Sequence, residues 1–170
     1  MNVAIVGAGF IGSKRASSLG ENDKLVMVCD TKVSAAKELS RKYHATFTDE
    51  YQQVANNSVI DVAFISIINK FAAPISIDML KSGKHVLCEK PLGRNLEESF
   101  QILKAAKESG NILKTGFNHR FHGAIMKAKE LIDGNAIGKI INIRARYGHG
   151  GRPGMEQEWR CSKDLCGGGE

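Results

Sequence analysis

With 170 residues, the chain is long enough for one well-buried domain and part of a second. Its hydrophobic and charged fractions, 42% and 25%, are those of an ordinary globular protein and exclude a largely disordered chain. The formal charge of +6 comes from Lys and Arg scattered along predicted helices, not from a basic run. We therefore expect a solvated basic surface that includes Lys14 and Arg15, and we expect no nucleic-acid partner.

The amino terminus and the cysteines indicate a compartment. The apolar run 3–6 is too short for a signal peptide or a membrane span, and no basic residue precedes it. We expect no membrane partner and a cytoplasmic location, where a disulfide framework is not expected among the four cysteines. Cys161 and Cys166 lack a second pair of ligands in sequence, so no metal site is predicted.

Strand and helix patterns alternate through the first two thirds of the chain. Predicted strands cover residues 3–6, 25–29, 45–47, 62–68, 85–88 and 112–116. Predicted helices lie between them, beginning near residue 11 and then covering residues 34–43, 51–54, 73–82 and 96–109, the last capped by Asn95 and Gly110. Because parallel strands need crossover helices, this order predicts a doubly wound α/β domain with a largely parallel sheet.

The remaining third of the chain predicts the beginning of a different domain. A helix is expected over residues 124–132, and residues 140–147 alternate apolar and polar side chains, which is typical of a strand with one face in water. One strand is not stable alone, so we interpret the chain as a fragment of a longer protein. The predicted domains are residues 1–118 and the incomplete start of an α+β domain at 119–170.

A glycine motif follows the first predicted strand. Gly7-Ala8-Gly9-Phe10-Ile11-Gly12 matches G-x-G-x-x-G and opens a helix. In this motif the first glycine permits a tight turn, the second leaves room for a pyrophosphate, and the third lets helix and strand pack closely. The helix amino terminus supplies N–H groups to the phosphates. We predict a Rossmann fold with a dinucleotide site that includes Phe10 and Ile11; a purely structural glycine turn is the alternative.

Two acidic residues stand at the carboxyl ends of predicted strands. Asp30 ends the second strand, where a carboxylate binds the adenosine ribose and repels the additional phosphate of NADP. This favours NAD, although the nearby Lys32 leaves NADP open, and Asp30 as a cap of the following helix is the alternative. Glu89, Lys90 and Pro91 end another strand, where ligands of open α/β sheets bind. Lys90 could stabilise charge on a substrate oxygen, or form a solvated ion pair before a turn.

Four segments together resemble the Gfo/Idh/MocA family of glucose-fructose oxidoreductases and inositol dehydrogenases. They are the glycine motif, Asp30, the run Gly-Lys-His-Val-Leu-Cys-Glu-Lys-Pro-Leu at 83–92, and Asn118-His119-Arg120-Phe121. The resemblance covers essentially the whole chain. It implies an NAD-dependent dehydrogenase acting on a sugar, a cyclitol or a nucleotide-linked sugar, with a carboxyl-terminal sheet that forms a homo-oligomer interface.

The resemblance also implies roles for individual residues. It places Lys90 beside nicotinamide and substrate, and Glu89 near the nicotinamide ribose. Asn118 and Arg120 are expected at the floor of the cleft, with His119 near it as a candidate catalytic residue. Trp159 and Arg160 resemble a loop that reaches the nicotinamide end of the cofactor; an anchoring Trp and a surface Arg are the alternative.

The glycine-rich segment around Arg152 is similar to that of members that oxidise nucleotide-linked sugars. Arg152 is therefore a candidate ligand of a substrate diphosphate, and a simple connecting loop is the alternative.

Two departures from the family pattern bear on the site. Where many members have Thr-Pro-Asn and a later His, this chain has Ile67, Ile68, Asn69 and then Ala72. Asn69 is still expected to meet the cofactor ribose. The family's Asp-x-Gly-x-His segment, whose His commonly serves as acid/base, would follow directly after Glu170, so the chain by itself is expected to be a poor catalyst. A non-catalytic NAD-sensing or interaction protein, and a reductase of a non-sugar carbonyl or imine, are the alternative functions.

Overall fold

The computed structural model describes residues 1–148, 151 and 153–168. In this part of the chain, one six-stranded parallel sheet has the strand order β3-β2-β1-β4-β5-β6. The strands are β1 (Asn2–Val6), β2 (Lys24–Cys29), β3 (Thr46–Thr48), β4 (Val62–Ile65), β5 (His85–Cys88) and β6 (Leu113–Thr115). The helices are α1 (Phe10–Ser17), α2 (Val33–Lys42), α3 (Tyr51–Asn56), α4 (Asn69–Lys81), α5 (Leu96–Ser109), α6 (Gly123–Asp133) and α7 (Lys163–Cys166). Within the same described residues, 3-10 helices cover Asn118–Phe121, Met155–Gln157 and Trp159–Cys161.

Helices cover both faces of the sheet, because successive side chains of each strand point to opposite faces. On one face Ile5 and Val28 pack with Ala16 of α1 and Leu39 of α2. On the other face the side chains come from β1, β4 and β5 and from the helices α3, α4 and α5, with Ile102 of α5 fully buried. This arrangement confirms the predicted doubly wound Rossmann fold.

The strand order identifies the edge of the sheet at which a ligand is expected to bind. The chain passes from β1 outward to β3 on one side and from β4 outward to β6 on the other. The crevice between the carboxyl ends of β1 and β4 is therefore the topological switch point, where ligands of open α/β sheets bind. The loops after β1, β2, β4, β5 and β6 all lie at this edge.

Helix α5 confirms its predicted limits. The Asn95 side chain accepts a hydrogen bond from the Glu98 N–H (2.9 Å), and the helix ends at Gly110 in a left-handed conformation (φ 70°). Helix α4 instead begins at Asn69, four residues before its predicted start, and contains Pro74. Proline lacks an N–H, so the helix continues through this position without the corresponding backbone hydrogen bond.

The predicted strand at 140–147 is wrong for this structure. Residues 140–147 have no regular secondary structure, and the side chains of Ile141, Ile143 and Tyr147 are 95%, 75% and 86% exposed. The alternating pattern is present, but the described residues place no second strand beside it, and a strand needs a neighbour to accept and donate its hydrogen bonds. The predicted helix before it is confirmed as α6. No helix in the described part of the chain is long and apolar enough to cross a membrane.

Candidate cofactor and active site

The glycine turn after β1 has three different steric requirements. Gly7 has a φ of +101°, and a Cβ there would overlap the backbone of Ser66. A Cβ on Gly12 would overlap the carbonyl oxygen of Gly7. Helix α1 therefore packs directly on the backbone of the turn, with no room for a side chain at Gly12. A Cβ on Gly9 would meet nothing within 4 Å, which leaves open space at the amino terminus of α1. This is the shape that a pyrophosphate group needs: a closed turn with an open helix end.

Asp30 joins the glycine turn to the beginning of α2. Its Oδ2 accepts the Ala8 N–H (2.7 Å) and its Oδ1 accepts the Lys32 N–H (2.8 Å). The second contact ends at Lys32, the residue before α2, so Asp30 does not bind an N–H group of the helix as the capping alternative requires. Each carboxylate oxygen can accept more than one hydrogen bond, so Asp30 can also bind a hydroxyl. The structure thus brings the predicted ribose ligand into direct contact with the predicted pyrophosphate turn.

Glu89 lies at the carboxyl end of β5 and forms an ion pair that spans the cleft edge. Arg15 of α1 donates to Glu89 Oε1 through Nε (2.7 Å) and also through Nη2. The two side chains are only 23% and 18% exposed. Arg15 is therefore not part of the solvated basic surface to which the sequence assigned it. Lys90 is exposed beside this pair, and the Lys90–Pro91 peptide bond is cis.

The segment after β6 carries the second group of predicted residues. Asn118, His119 and Arg120 lie on the 3-10 helix Asn118–Phe121, and all three are exposed. The His119 ring contacts the Tyr147 ring edge-on, with 5.3 Å between the centroids. These residues follow β6, the neighbour of β5, so they lie at the same edge of the sheet as Lys90.

Helix α7 packs back onto the Rossmann domain at the beginning of α4. The buried side chain of Asn69 donates through Nδ2 to the Cys166 carbonyl oxygen (3.0 Å). Lys70 Nζ lies 2.5 Å from Asp164 Oδ2, and Arg94 Nη1 donates to the Asp164 carbonyl oxygen (2.7 Å). Asn69, predicted to meet the cofactor ribose, thus binds the backbone of the following domain in this structure.

Gly167 completes this contact. A Cβ at this position would overlap the Arg94 backbone, so only glycine allows the chain to pass so close to the loop before α5. Arg94 is itself fixed by Glu98, which accepts from its N–H (2.7 Å) and its Nε (2.9 Å). We call the contacts of Asn69, Lys70 and Arg94 with residues 163–167 the α7 clamp.

Trp159 and Arg160 are half-buried and precede residues 163–167 of the α7 clamp in sequence. The Arg160 guanidinium lies over the Trp159 ring, 4.6 Å from its centroid, and binds Glu158 Oε2 (3.1 Å). They lie on the 3-10 helix Trp159–Cys161, which packs against α7. Arg152 lies outside the described residues. Among the described residues no three His, Cys, Asp or Glu side chains are placed to hold a metal ion.

Comparison with protein-family models decides the family. A model described as "Oxidoreductase family, NAD-binding Rossmann fold" matches residues 1–117, and a Gfo/Idh/MocA C-terminal domain model matches residues 125–170. The chain belongs to the Gfo/Idh/MocA family. The resemblance inferred from the sequence motifs is therefore confirmed.

Relatives within the Gfo/Idh/MocA family include sugar dehydrogenases. The chain is 32% identical to D-glucoside 3-dehydrogenase of Escherichia coli and 28% identical to levoglucosan dehydrogenase of Pseudarthrobacter phenanthrenivorans. Each alignment covers 99% of this chain but only 49% and 47% of the respective relative. A solved structure of levoglucosan dehydrogenase with NADH and levoglucosan superposes with a TM-score of 0.84 at 26% identity, covering 99% of this chain and 49% of that one. The chain spans about half the length of these curated relatives.

Several residues of the candidate site in this Gfo/Idh/MocA chain were not identified from the sequence. Arg15 follows Gly12 by three residues, so helical spacing alone places both toward the sheet, and this signal could have separated Arg15 from Lys14. Gly116 follows β6 and lies against Glu89, where a Cβ would be 2.7 Å from Oε2. The partners in the α7 clamp are separated by 70 to 97 residues in sequence, and no local pattern reports such contacts.

The α7 clamp predicts a pH dependence. The hydrogen bond from Lys70 lowers the pKa of Asp164 below its ordinary value of 3.8. A carboxyl whose pKa is lower in the folded state stabilises that state above the ordinary value and stops doing so as the pH falls through the lowered value. We expect residues 163–168 to keep their protection at pH 5–7 and to exchange a few-fold faster below about pH 4. Hydrogen–deuterium exchange of this segment, corrected for intrinsic exchange rates, measures the change.

Asp164→Asn provides the matched comparison at neutral pH. Because the Asp164 side chain is mostly exposed and the contacts of Asn69 and Arg94 with the backbone remain, it should speed the exchange of residues 163–168 at pH 7 only about two- to fivefold. Glu156→Gln, at an exposed carboxylate on the 3-10 helix Met155–Gln157, should leave that exchange unchanged. Equal protection in Asp164→Asn and the parent would show that the ion pair with Lys70 does not hold α7.

Proposed function

We propose that the protein to which this chain belongs is an NAD-dependent dehydrogenase of a sugar, a cyclitol or a nucleotide-linked sugar. The observation that carries the cofactor assignment is the contact of Asp30 with the Ala8 amide, beside the open amino terminus at Gly9. The substrate class is supported by the names of the relatives, which include a D-glucoside 3-dehydrogenase and inositol 2-dehydrogenases. NADP is the less favoured cofactor because a carboxylate repels its additional phosphate.

The residues of this chain fit a dinucleotide at defined places. Gly7, Gly9 and Gly12 shape the pyrophosphate site, with Phe10 and Ile11 beginning the helix that faces it. Asp30 would hold the adenosine ribose. Glu89 and Asn118, at the ends of β5 and β6, would contact the nicotinamide half, as would Asn69 at the beginning of α4. Trp159 and Arg160 would close the site from the other domain.

The proposed chemistry uses Lys90 and His119. Bound NAD supplies the acceptor or donor of a hydride. The Lys90 ammonium would bind the reacting substrate oxygen and stabilise negative charge as its proton leaves. His119, exposed on the neighbouring 3-10 helix, is the candidate for moving that proton within this chain. Arg120 and Arg152 are proposed to bind substrate oxygens, and Arg152 in particular a diphosphate.

The domain organisation completes the proposal. Residues 1–118 would form the cofactor domain, and residues 119–170 would begin the α+β domain that carries the rest of the substrate site. We also propose that this second domain supports a homo-oligomer through its sheet. Exposed apolar side chains on this part of the chain, Ile141 and Ile143 among them, are consistent with coverage by further structure.

The full-length protein tests the proposal directly. A panel of sugars, cyclitols and nucleotide-linked sugars is incubated with NAD⁺ and with NADP⁺, and the formation of reduced cofactor is followed by absorbance. We expect a subset of the polyols to be oxidised with NAD⁺. Saturable NADH binding without turnover of any polyol would favour the non-catalytic sensor, and turnover of a non-sugar carbonyl or imine alone would favour the other enzyme class. Absence of NADH and NADPH binding would exclude all three.

Asp30 provides the test of cofactor choice. Asp30→Asn keeps the size of the side chain but removes its charge, so the bond to the ribose weakens and the repulsion of a 2′-phosphate disappears. We expect NADH affinity to fall roughly tenfold, as for the loss of a charged hydrogen bond, and NADPH affinity to rise. Calorimetric titration with both cofactors measures the ratio. Asp23→Asn, remote from the cleft and bound to the amino-terminal ammonium group, is the control. An unchanged ratio would exclude Asp30 as the ribose ligand.

A further inference from the structure

The ion pair between Arg15 and Glu89 connects the two halves of the cofactor site. Arg15 belongs to α1, whose amino terminus faces the pyrophosphate position, and Glu89 follows β5 at the nicotinamide side of the switch point. The two residues are 74 positions apart in sequence. Among the described contacts, this is the direct side-chain link between the pyrophosphate helix and the loop that carries Lys90.

The geometry of the pair orients the Glu89 carboxylate. Both Arg15 nitrogens, Nε and Nη2, donate to the same oxygen, Oε1. The other oxygen, Oε2, has a long contact with the Lys90 N–H (3.4 Å) and lies against Gly116. Because a Cβ on Gly116 would lie 2.7 Å from Oε2, glycine at this position makes room for the carboxylate. Three elements, α1, β5 and the end of β6, thus determine where Oε2 lies.

The ion pair between Arg15 and Glu89 is better explained by orientation of the carboxylate than by stability of the fold. A partly exposed ion pair contributes little to folding, and ordering a long Arg side chain opposes it. A carboxylate without a partner could rotate and would not keep one oxygen at a fixed position. Arg15 binds Oε1 and so leaves Oε2, in a fixed position, as the acceptor that a ribose hydroxyl requires.

We infer that Arg15 is a positioning residue that holds Glu89 in place to bind the nicotinamide ribose. This inference rests on the proposed function, since it concerns the same cofactor site. It assigns Arg15 an effect on the nicotinamide half of the cofactor alone. The adenosine and pyrophosphate half is held by Asp30 and the glycine turn, which Arg15 does not contact in the described hydrogen bonds.

Two ligands separate this role from a merely structural one. NADH contains the nicotinamide ribose, whereas ADP contains only the adenosine and the diphosphate. In the full-length protein, Arg15→Met should weaken NADH binding about tenfold in calorimetric titration and leave ADP affinity within about twofold of the parent. Lys42→Met, which removes an exposed ion pair with Glu38 at the end of α2, is the control and should change neither affinity.

Glu89→Gln and the double variant test the coupling. If Arg15 acts through Glu89, Glu89→Gln should reproduce the selective loss, and the double variant should bind NADH no more weakly than the weaker of the two single variants. Arg15→Lys keeps the charge but cannot place two nitrogens on one oxygen, so its NADH affinity should lie between those of the parent and Arg15→Met. If Arg15→Met does not fold, Arg15→Lys supplies the NADH-to-ADP ratio.

The outcomes distinguish this inference from the proposed function. If the parent protein does not bind NADH, the proposed function fails before any variant is compared. If the parent binds NADH and Arg15→Met binds it equally well, only the role of Arg15 is overturned. Equal losses of NADH and ADP affinity would also overturn it, because they would show a general effect on α1.

Discussion

Replacing Lys90 by Ala should lower kcat of the full-length protein in the proposed reaction by about 10²–10³-fold, the effect of removing one group that stabilises charge in a transition state. The ammonium is expected to act on the reacting substrate oxygen and not on the cofactor, so NADH affinity should change much less than kcat. Steady-state kinetics with the polyol found by the substrate panel, together with NADH titration, separates the two effects. A fall in kcat with unchanged NADH affinity is the expected result.

Two variants make the Lys90 result specific. Lys104→Ala removes an exposed lysine of α5 that pairs with Glu108 on the same helix, and it should leave kcat unchanged. Lys90→Arg keeps a positive charge but cannot reproduce the compact ammonium, so we expect partial activity. Turnover of Lys90→Ala within about threefold of the parent would remove Lys90 from the mechanism, since a charge-stabilising group contributes far more than that.

The glycine motif should divide into positions needed for folding and a position needed for binding. Gly12→Ala places a methyl group on the Gly7 carbonyl, where the backbone has no room, and should lower the free energy of unfolding by roughly 3 kcal/mol. Gly9→Ala meets no atom within 4 Å and has an ordinary φ of −73°, so the fold should be retained. Its methyl group would occupy the pyrophosphate position, and NADH affinity should fall about tenfold or more.

Chemical denaturation and calorimetric titration of the same samples test this division. Gly123→Ala, at the open first position of α6, is the control and should change neither quantity. Gly9→Ala with full NADH affinity would contradict the assignment of that open space to the pyrophosphate. Gly12→Ala with parental stability would contradict the close packing of α1 on the turn.

The Rossmann domain could be predicted almost element by element because its signals are local. Continuous apolar runs identified the buried strands, and Asn95 with Gly110 marked the ends of α5. The strand expected at 140–147 was wrong because a strand depends on a neighbour that sequence periodicity does not supply. Helix α4 was predicted to begin too late because its first turn contains few of the signals that mark a helix start.

The residues of the candidate site likewise separate into those with a local sequence signal and those that depend on contacts across the fold. The glycine motif, Asp30 and Lys90 follow strand ends, and topology alone brings strand ends together. Arg15, Gly116 and the α7 clamp depend on contacts across the fold, which composition and spacing do not record. Helical spacing with Gly12 was a usable signal for Arg15, whereas its charge alone had placed it with the solvated basic residues.

The bonds around the glycine turn have a kinetic consequence. The Gly7 N–H donates to Cys29, the Ala8 N–H to Asp30, and Asp30 also binds Lys32, so the turn takes its shape from the protein's own atoms. A loop already in its binding shape has little conformational entropy left to lose when a nucleotide arrives. Stopped-flow association of NADH should therefore be a single fast step proportional to concentration, and differences in affinity among site variants should arise mainly from dissociation.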